Sequence, residues 1–348
     1  MPSETPRAEP VSRRRRILVP VTVILVLIAA AGGWVVYQNS YDLREQRVTM
    51  PGSAQPLHGV LALPKTGTAP FGLVVFVHGD GPADATHDTF YRPIWESLAR
   101  AGYASLSWDK PGIAGAPGDW LDQTMADRTT ETLDAIAWAR TRSEIDPARI
   151  GLWGASQAGW VLPAVAARDP GVQFMIAVSP AVNWLQQGRY NTIAELTAAH
   201  ANPAEIDAAV AASDRTRQFL RDGASYEQAR AAAVVTADTT PQRWRFIQRN
   251  YTADAAADLA AVRIPVLLVL ADHDLNVDIV DTETRYRQLI PADLLHVRHY
   301  RDATHALIRK NIEDSTVKTV AVAIAAPRSL FAEGFLSDQA QFIRDLHR

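Results

Sequence analysis

The chain has 348 residues, of which 47% are hydrophobic and 21% charged, enough for one large domain or two small ones with a core well above the marginal size range. A formal net charge of -3, with no long basic run beyond the N-terminus, excludes a general attraction for nucleic acid. The absence of cysteine excludes disulfides, thiolate metal sites and cysteine nucleophiles together.

Four arginines, Arg13 to Arg16, stand directly before an uncharged apolar run at 17–36. At about 1.5 Å rise per residue that run matches the roughly 30 Å hydrocarbon core of a bilayer. Residues 1–16 are therefore expected to be a cytoplasmic basic N-terminus and 17–37 a transmembrane anchor, with everything after them exported. The alternative is a cleaved signal peptide, processed near the small residues Ala29, Ala30 and Ala31, which would leave a secreted protein.

From residue 41 onward short β-rich runs alternate with amphipathic ones. "REQRVTM" and "PLHGVLALP" read as paired antiparallel strands, and "FGLVVFVHG" as a strand buried on both faces. A helix at "YRPIWESLARAG", a strand at "YASLSWD", a long helix at "TMADRTTETLDAIAWARTR" and a short strand over 149–153 follow. A helix beginning near Gln157 and a strand at "VQFMIAVSP" complete the repetition. This is α/β order, which predicts a mostly parallel sheet covered by helices, with ligands gathered at the C-terminal strand ends. Residues 181–261 carry only helical patterns, including one after the start signal Asn202-Pro203, and read as a cap inserted over the active edge. Strands return at "IPVLLVLADHD" and "DLLHVRHYRDATH".

Ser156, in "GLWGASQAGW", sits on the corner between a strand and a helix, where Gly154 and Gly159 keep bulk away. A serine hydroxyl needs a base and an oxyanion donor array to act as a nucleophile. The corner lifts the hydroxyl above the sheet and aims the Gln157 backbone N–H at the developing charge. In "FVHGDGPAD" the Asp80 N–H is the candidate second donor, with its carboxylate pointing away, and His78 reads as a hydrogen-bonded structural histidine. His305, in "DATHAL", follows a strand at the same sheet edge and is the candidate base. For the carboxylate that orients it, Asp274 is preferred over Asp272 because Asp274 stands clear of the strand end; the two remain open.

Serine, aspartate and histidine in that chain order, each after a strand, resemble the α/β-hydrolase fold family from about residue 47 to 348. "HGDGP" resembles its HG-x-GP oxyanion loop, "SWDKPGIAGAPGD" its D-[KR]-x-G-x-G-x-S-x-G segment, and "GASQAGW" its GxSQGG elbow. "LADHD" stands where the family has G-x-x-D, and "DATHAL" matches the histidine loop. Ala158 and Ala271 replace expected glycines, and Pro111 stands where the family usually has arginine. The resemblance implies one α/β-hydrolase domain over 41–348 with the cap at 181–261. It further implies a serine hydrolase that needs neither metal nor organic cofactor.

The expected reaction is ester cleavage through an acyl-enzyme on Ser156, with a thioesterase or a serine aminopeptidase-type peptidase as alternatives. Expected partners are a small-molecule ester or related acyl substrate and the membrane. Trp184, Tyr190, Phe219, Trp244 and Phe246 are candidate apolar walls of the pocket, and Glu195 and Glu205 are the acids that a peptidase would use to hold a substrate amine. The contrasting reading is a non-catalytic binding module, whose signature would be a missing triad member. Oligomeric state is unreadable from the sequence.

Overall fold

Alternate residues of the central strands go to opposite faces of one sheet, as the two-residue period of a strand requires. In Phe71–Val77, side chains 73, 75 and 77 join one hydrophobic cluster and 74 and 76 the other. The computed structural model describes the backbone of residues 13–346 and side chains from residue 25 onward. In chain order it contains α1 (Arg13–Gln38), β1 (Leu43–Met50), β2 (Leu57–Pro64), β3 (Phe71–Val77), α2 (Arg92–Ala99), β4 (Tyr103–Trp108) and α3 (Met125–Ala139). Then come β5 (Ile145–Ala155), α4 (Leu162–Arg168) and β6 (Val172–Val178). Five helices follow without a strand: α5 (Trp184–Ala198), α6 (Pro203–Arg221), α7 (Tyr226–Ala231), α8 (Pro241–Asn250) and α9 (Ala256–Ala261). The chain closes with β7 (Val266–His273), α10 (Ile279–Leu289), β8 (Leu295–Thr304), α11 (Lys310–Glu313), α12 (Thr316–Ala325) and α13 (Phe335–Asp345).

The eight strands lie in the order β1-β2-β4-β3-β5-β6-β7-β8. β1 and β2 pair antiparallel, as does β2 with β4, and every other neighbour is parallel. From β3 the chain crosses to β4 on one side, and from β5 to β6 on the other. The crevice where the connections diverge is the usual ligand position of an open α/β sheet.

Local signals in the sequence explain several boundaries. Thr124 and Asp127 form a reciprocal capping box at the start of α3, and Asn202 and Glu205 do the same before Pro203 in α6. One boundary differs from expectation. The helix expected near Gln157 begins only at Leu162, after a 3₁₀ turn over Ser156–Trp160. The sharp reversal at Ser156 is followed by a tighter coil before an α-helix can start, with Pro163 in its first turn.

The expected anchor at 17–37 falls within α1. Residues 1–12 and the side chains of 13–24 lie outside the described residues, and among the described residues no helix is long and apolar enough to cross a membrane. Leu25, Val26, Leu27 and Ile28 are exposed. The end of α1 touches α12, where Trp34 Nε1 and Asn39 Nδ2 each donate at 2.8 Å to the carbonyls of Ala325 and Ile324.

Arg328 ties the same corner together. It donates to the carbonyls of Gln38 and Ser40 and to both oxygens of the buried Glu96. Burial pushes the Glu96 carboxyl up, but Arg328, the Asp42 N–H and Arg100 outweigh it and leave the group below its ordinary value. A carboxyl depressed in the folded state contributes stability that is complete above the ordinary carboxylate range and lost as pH falls through the lowered value. Glu96→Gln is therefore expected to cost about 3 kcal/mol at neutral pH. In thermal melts from pH 7 to 3 the gap to wild type should close; a gap independent of pH would remove the carboxylate from this role.

Candidate active site

β5 delivers Ser156 at a φ of +55°. Left-handed backbone at a residue with a side chain is strained, and a strand-to-helix corner held this way is the geometry that presents a hydroxyl above an α/β sheet. The glycines beside it are needed for close approach. A Cβ on Gly159 would lie 2.3 Å from the Ala181 carbonyl oxygen, and one on Gly154 would lie 2.6 Å from the Ala158 methyl. Ala158, standing where the resemblance leads one to expect glycine, thus fills the room left by Gly154. Gly159→Ala is expected to destabilise the protein by about 3 kcal/mol or more, read by denaturant unfolding. A loss below about 1 kcal/mol would mean that the elbow yields to the new methyl.

β7 and β8 deliver the other two groups. His305 Nδ1 lies 2.7 Å from Asp274 Oδ2, and the Asp274 side chain is 0% exposed. The other carboxylate oxygen of Asp274 accepts the N–H groups of Asn276 and Val277, both at 2.8 Å. Asp272 is exposed and faces His299 instead, at 3.2 Å. His273, between the two aspartates, is also exposed. The inserted helix α5 braces the aspartate loop through backbone carbonyls: Tyr190 Oη donates to Asp274 at 2.9 Å, Gln187 to Asn276 at 2.8 Å and Asn191 to Leu275 at 3.1 Å.

Ser156, His305 and Asp80 border one cavity of about 260 Å³. Its walls are largely apolar and come from α2 and the residues just before it, from β5, and from the start of α13 and the segment before it: Phe90, Tyr91, Ile94, Trp153, Phe331 and Phe335. None of the five aromatics that the sequence offered as walls borders this cavity, although Tyr190 borders another that Asp274 and His305 also line. Trp244 and Phe246 are almost fully buried, Phe219 packs against Trp244, and Trp184 stacks on Trp160. Tyr190 serves the aspartate loop. The inserted helices need their large side chains for packing against one another and the sheet, so few remain to line a pocket.

The loop after β3 is held from beneath. His78 is buried, with Nε2 2.7 Å from the Trp108 carbonyl oxygen and Nδ1 3.1 Å from Tyr91 Oη, and burial pushes it well below its ordinary value. Lys110 Nζ donates to the carbonyls of Gly79 and Gly81 at 2.7 and 2.6 Å, and Arg128 donates to the carbonyl of His78 and to Gln157 Oε1. Burial and the neighbouring Arg128 depress Lys110 well below the usual lysine range. The Asp80 carboxylate turns to Arg243 of α8 and to Gln157 Nε2, 3.0 Å away. Burial raises its pKa, and the two bonds from Arg243 bring it below the ordinary value. Sequence reasoning passed over Lys110, Arg128 and Arg243. Lys110 lies inside the quoted "SWDKPG" segment, whereas nothing local marks Arg128 or Arg243 apart from other helix arginines.

A family model described as "Serine aminopeptidase, S33" matches residues 68–311, more than half of the chain. The chain belongs to this family. Within the S33 family's α/β-hydrolase fold, an esterase of Pyrococcus furiosus superposes with a TM-score of 0.53 at 14% identity, covering 81% of this chain and 90% of that one. The α/β hydrolase GrgF of Penicillium sp. sh18 superposes with a TM-score of 0.56 at 16% identity, covering 87% and 99%. At such identities the likeness shows the fold alone. The thiohydrolase apmlB of Arthrinium phaeospermum is 30% identical over 92 residues, which is 26% of this chain and 30% of that protein. The chain spans less than a third of the length of the curated relatives it matches. This S33 member has the α/β-hydrolase fold.

Proposed function

We propose that the protein is a serine hydrolase that cleaves carboxylic esters with an apolar acyl group through an acyl-enzyme on Ser156. The observation that carries this reading is the apolar cavity bordered by Ser156 and His305, with His305 held by the buried Asp274. In the proposed course Ser156 Oγ attacks the ester carbonyl while His305 Nε2 takes its proton, and Asp274 stabilises the imidazolium. The N–H groups of Asp80 and Gln157 meet the oxyanion. Collapse returns the proton to the leaving alcohol, and a water deprotonated by His305 then releases the acid and regenerates the serine.

A substrate panel tests the reading. Nitrophenyl esters should be cleaved with kcat/KM rising as the acyl chain lengthens from acetyl to hexanoyl. Faster turnover of free-amine aminoacyl anilides than of any ester would move the assignment to a peptidase. One observation favours that second reading: Glu195 borders a second cavity, of about 590 Å³, that is also lined by Asp274 and His305. Glu205 is exposed and away from it. The thiohydrolase relative keeps an acyl thioester in the panel.

For the whole chain we propose a membrane tether, with the N-terminus cytoplasmic and the catalytic domain exported. The arginine cluster before the apolar run at 17–36 supports this, together with the exposed Val317, Val320 and Ile324 on α12 beside the end of α1. The full chain should stay with membranes through alkaline carbonate washing. Release of a shortened chain beginning after Ala31 would show a secreted enzyme instead.

A further inference from the structure

Among the described residues the Asp80 N–H has no hydrogen-bond partner, although the carbonyls of His78, Gly79 and Gly81 around it are engaged. His78, Gly79 and Gly81 direct their oxygens to two buried cationic side chains, Arg128 and Lys110. A trans peptide places its C=O and N–H on opposite sides of one rigid plane. The Gly79 carbonyl and the Asp80 N–H belong to the same peptide. Drawing that oxygen down to Lys110 therefore turns the Asp80 N–H up, away from the lysine. With Gly81 held by the same ammonium, the plane has no freedom to rotate. Lys110 is itself fixed, buried with its ammonium 5.0 Å from the centre of the Trp120 ring.

We propose that Lys110 is a positioning residue for hydrolysis: by clamping the carbonyls of Gly79 and Gly81 it holds the Asp80 N–H ready for the oxyanion. The proposal rests on the serine-hydrolase reading above. An aspartate in the oxyanion loop is a poor choice without such a clamp, because a free peptide would turn to relieve repulsion between its carboxylate and the developing negative charge. The clamp and the Arg243 pair divide the work. Arg243 holds the side chain aside, and Lys110 fixes the backbone.

The test uses the full-length protein, an ester substrate and an alkyl boronic acid, whose serine adduct carries a tetrahedral oxyanion. Lys110→Met removes both donors. It should lower kcat about tenfold to hundredfold with KM within about twofold, and weaken boronate binding by the same factor as kcat/KM. Lys110→Gln keeps a neutral amide with two N–H donors on a shorter side chain and should fall between Met and wild type on both readouts. Equal boronate affinity in wild type and both variants would overturn the clamp while leaving the nucleophile in place. If wild type itself fails to bind boronate, the serine reading falls and the proposal falls with it. If both variants unfold below the assay temperature, Lys110 serves the fold and the positioning role is overturned.

Discussion

Ser156→Ala should abolish labelling by a fluorophosphonate and lower kcat/KM on a good ester by roughly 10⁴ to 10⁶, with unfolding unchanged within about 0.5 kcal/mol. The expectation follows from geometry. The side chain stands half-buried on a left-handed residue and borders the cavity with His305. Removing one oxygen there costs no packing. It does remove the atom on which the acyl group would be carried, and any residual rate would come from the oxyanion donors and binding alone. Intact-protein mass reads the result directly: one adduct on wild type, none on the variant. An adduct that persists in Ser156→Ala would place the reactive hydroxyl elsewhere and dismantle the proposed site.

The second large effect separates two aspartates that stand two residues apart. Asp274→Asn should lower kcat by about 10⁴, whereas Asp272→Asn should leave it within about twofold. Asp274 is fully buried, and its two oxygens divide the work between His305 and the N–H groups of Asn276 and Val277. An asparagine that keeps those two backbone donors paired must present its amide –NH₂ to His305 Nδ1. That favours the tautomer with the proton on Nε2, which cannot accept from Ser156. Asp272 meets only His299 at the exposed edge, so its loss removes a surface pair of little value. Comparable losses in the two variants would overturn the distinction.

The sheet was legible because buried strands announce themselves. "FGLVVFV" and "VQFMIAV" lie between two cores, and a continuous apolar run is what two covered faces demand. The serine corner was legible for a similar reason, since small residues at 154, 158 and 159 have no other use at a sharp bend. Asp274 was harder, because in sequence it differs from Asp272 only by distance from the strand; burial and its two backbone donors set it apart. The pocket walls were misjudged. Phe331 and Phe335 stand far along the chain from Ser156 and carry no local mark, and only the folding of the C-terminal segment onto the sheet brings them to the cavity. Arg243 and Arg128 were invisible for the same reason: an ion pair or a hydrogen bond made across elements leaves no periodicity.

The bonds from Trp34 and Asn39 to α12, and from Arg328 back to residues 38 and 40, also bear on freedom of movement. A domain joined to its helix by a loose peptide would swivel and sample every heading. Here the joint is pinned at both sides, so the domain behaves as a rigid flag on its pole. The entrance to the apolar cavity then keeps a constant bearing relative to α1. Cutting Arg328 to alanine would let it wander without touching a single catalytic group.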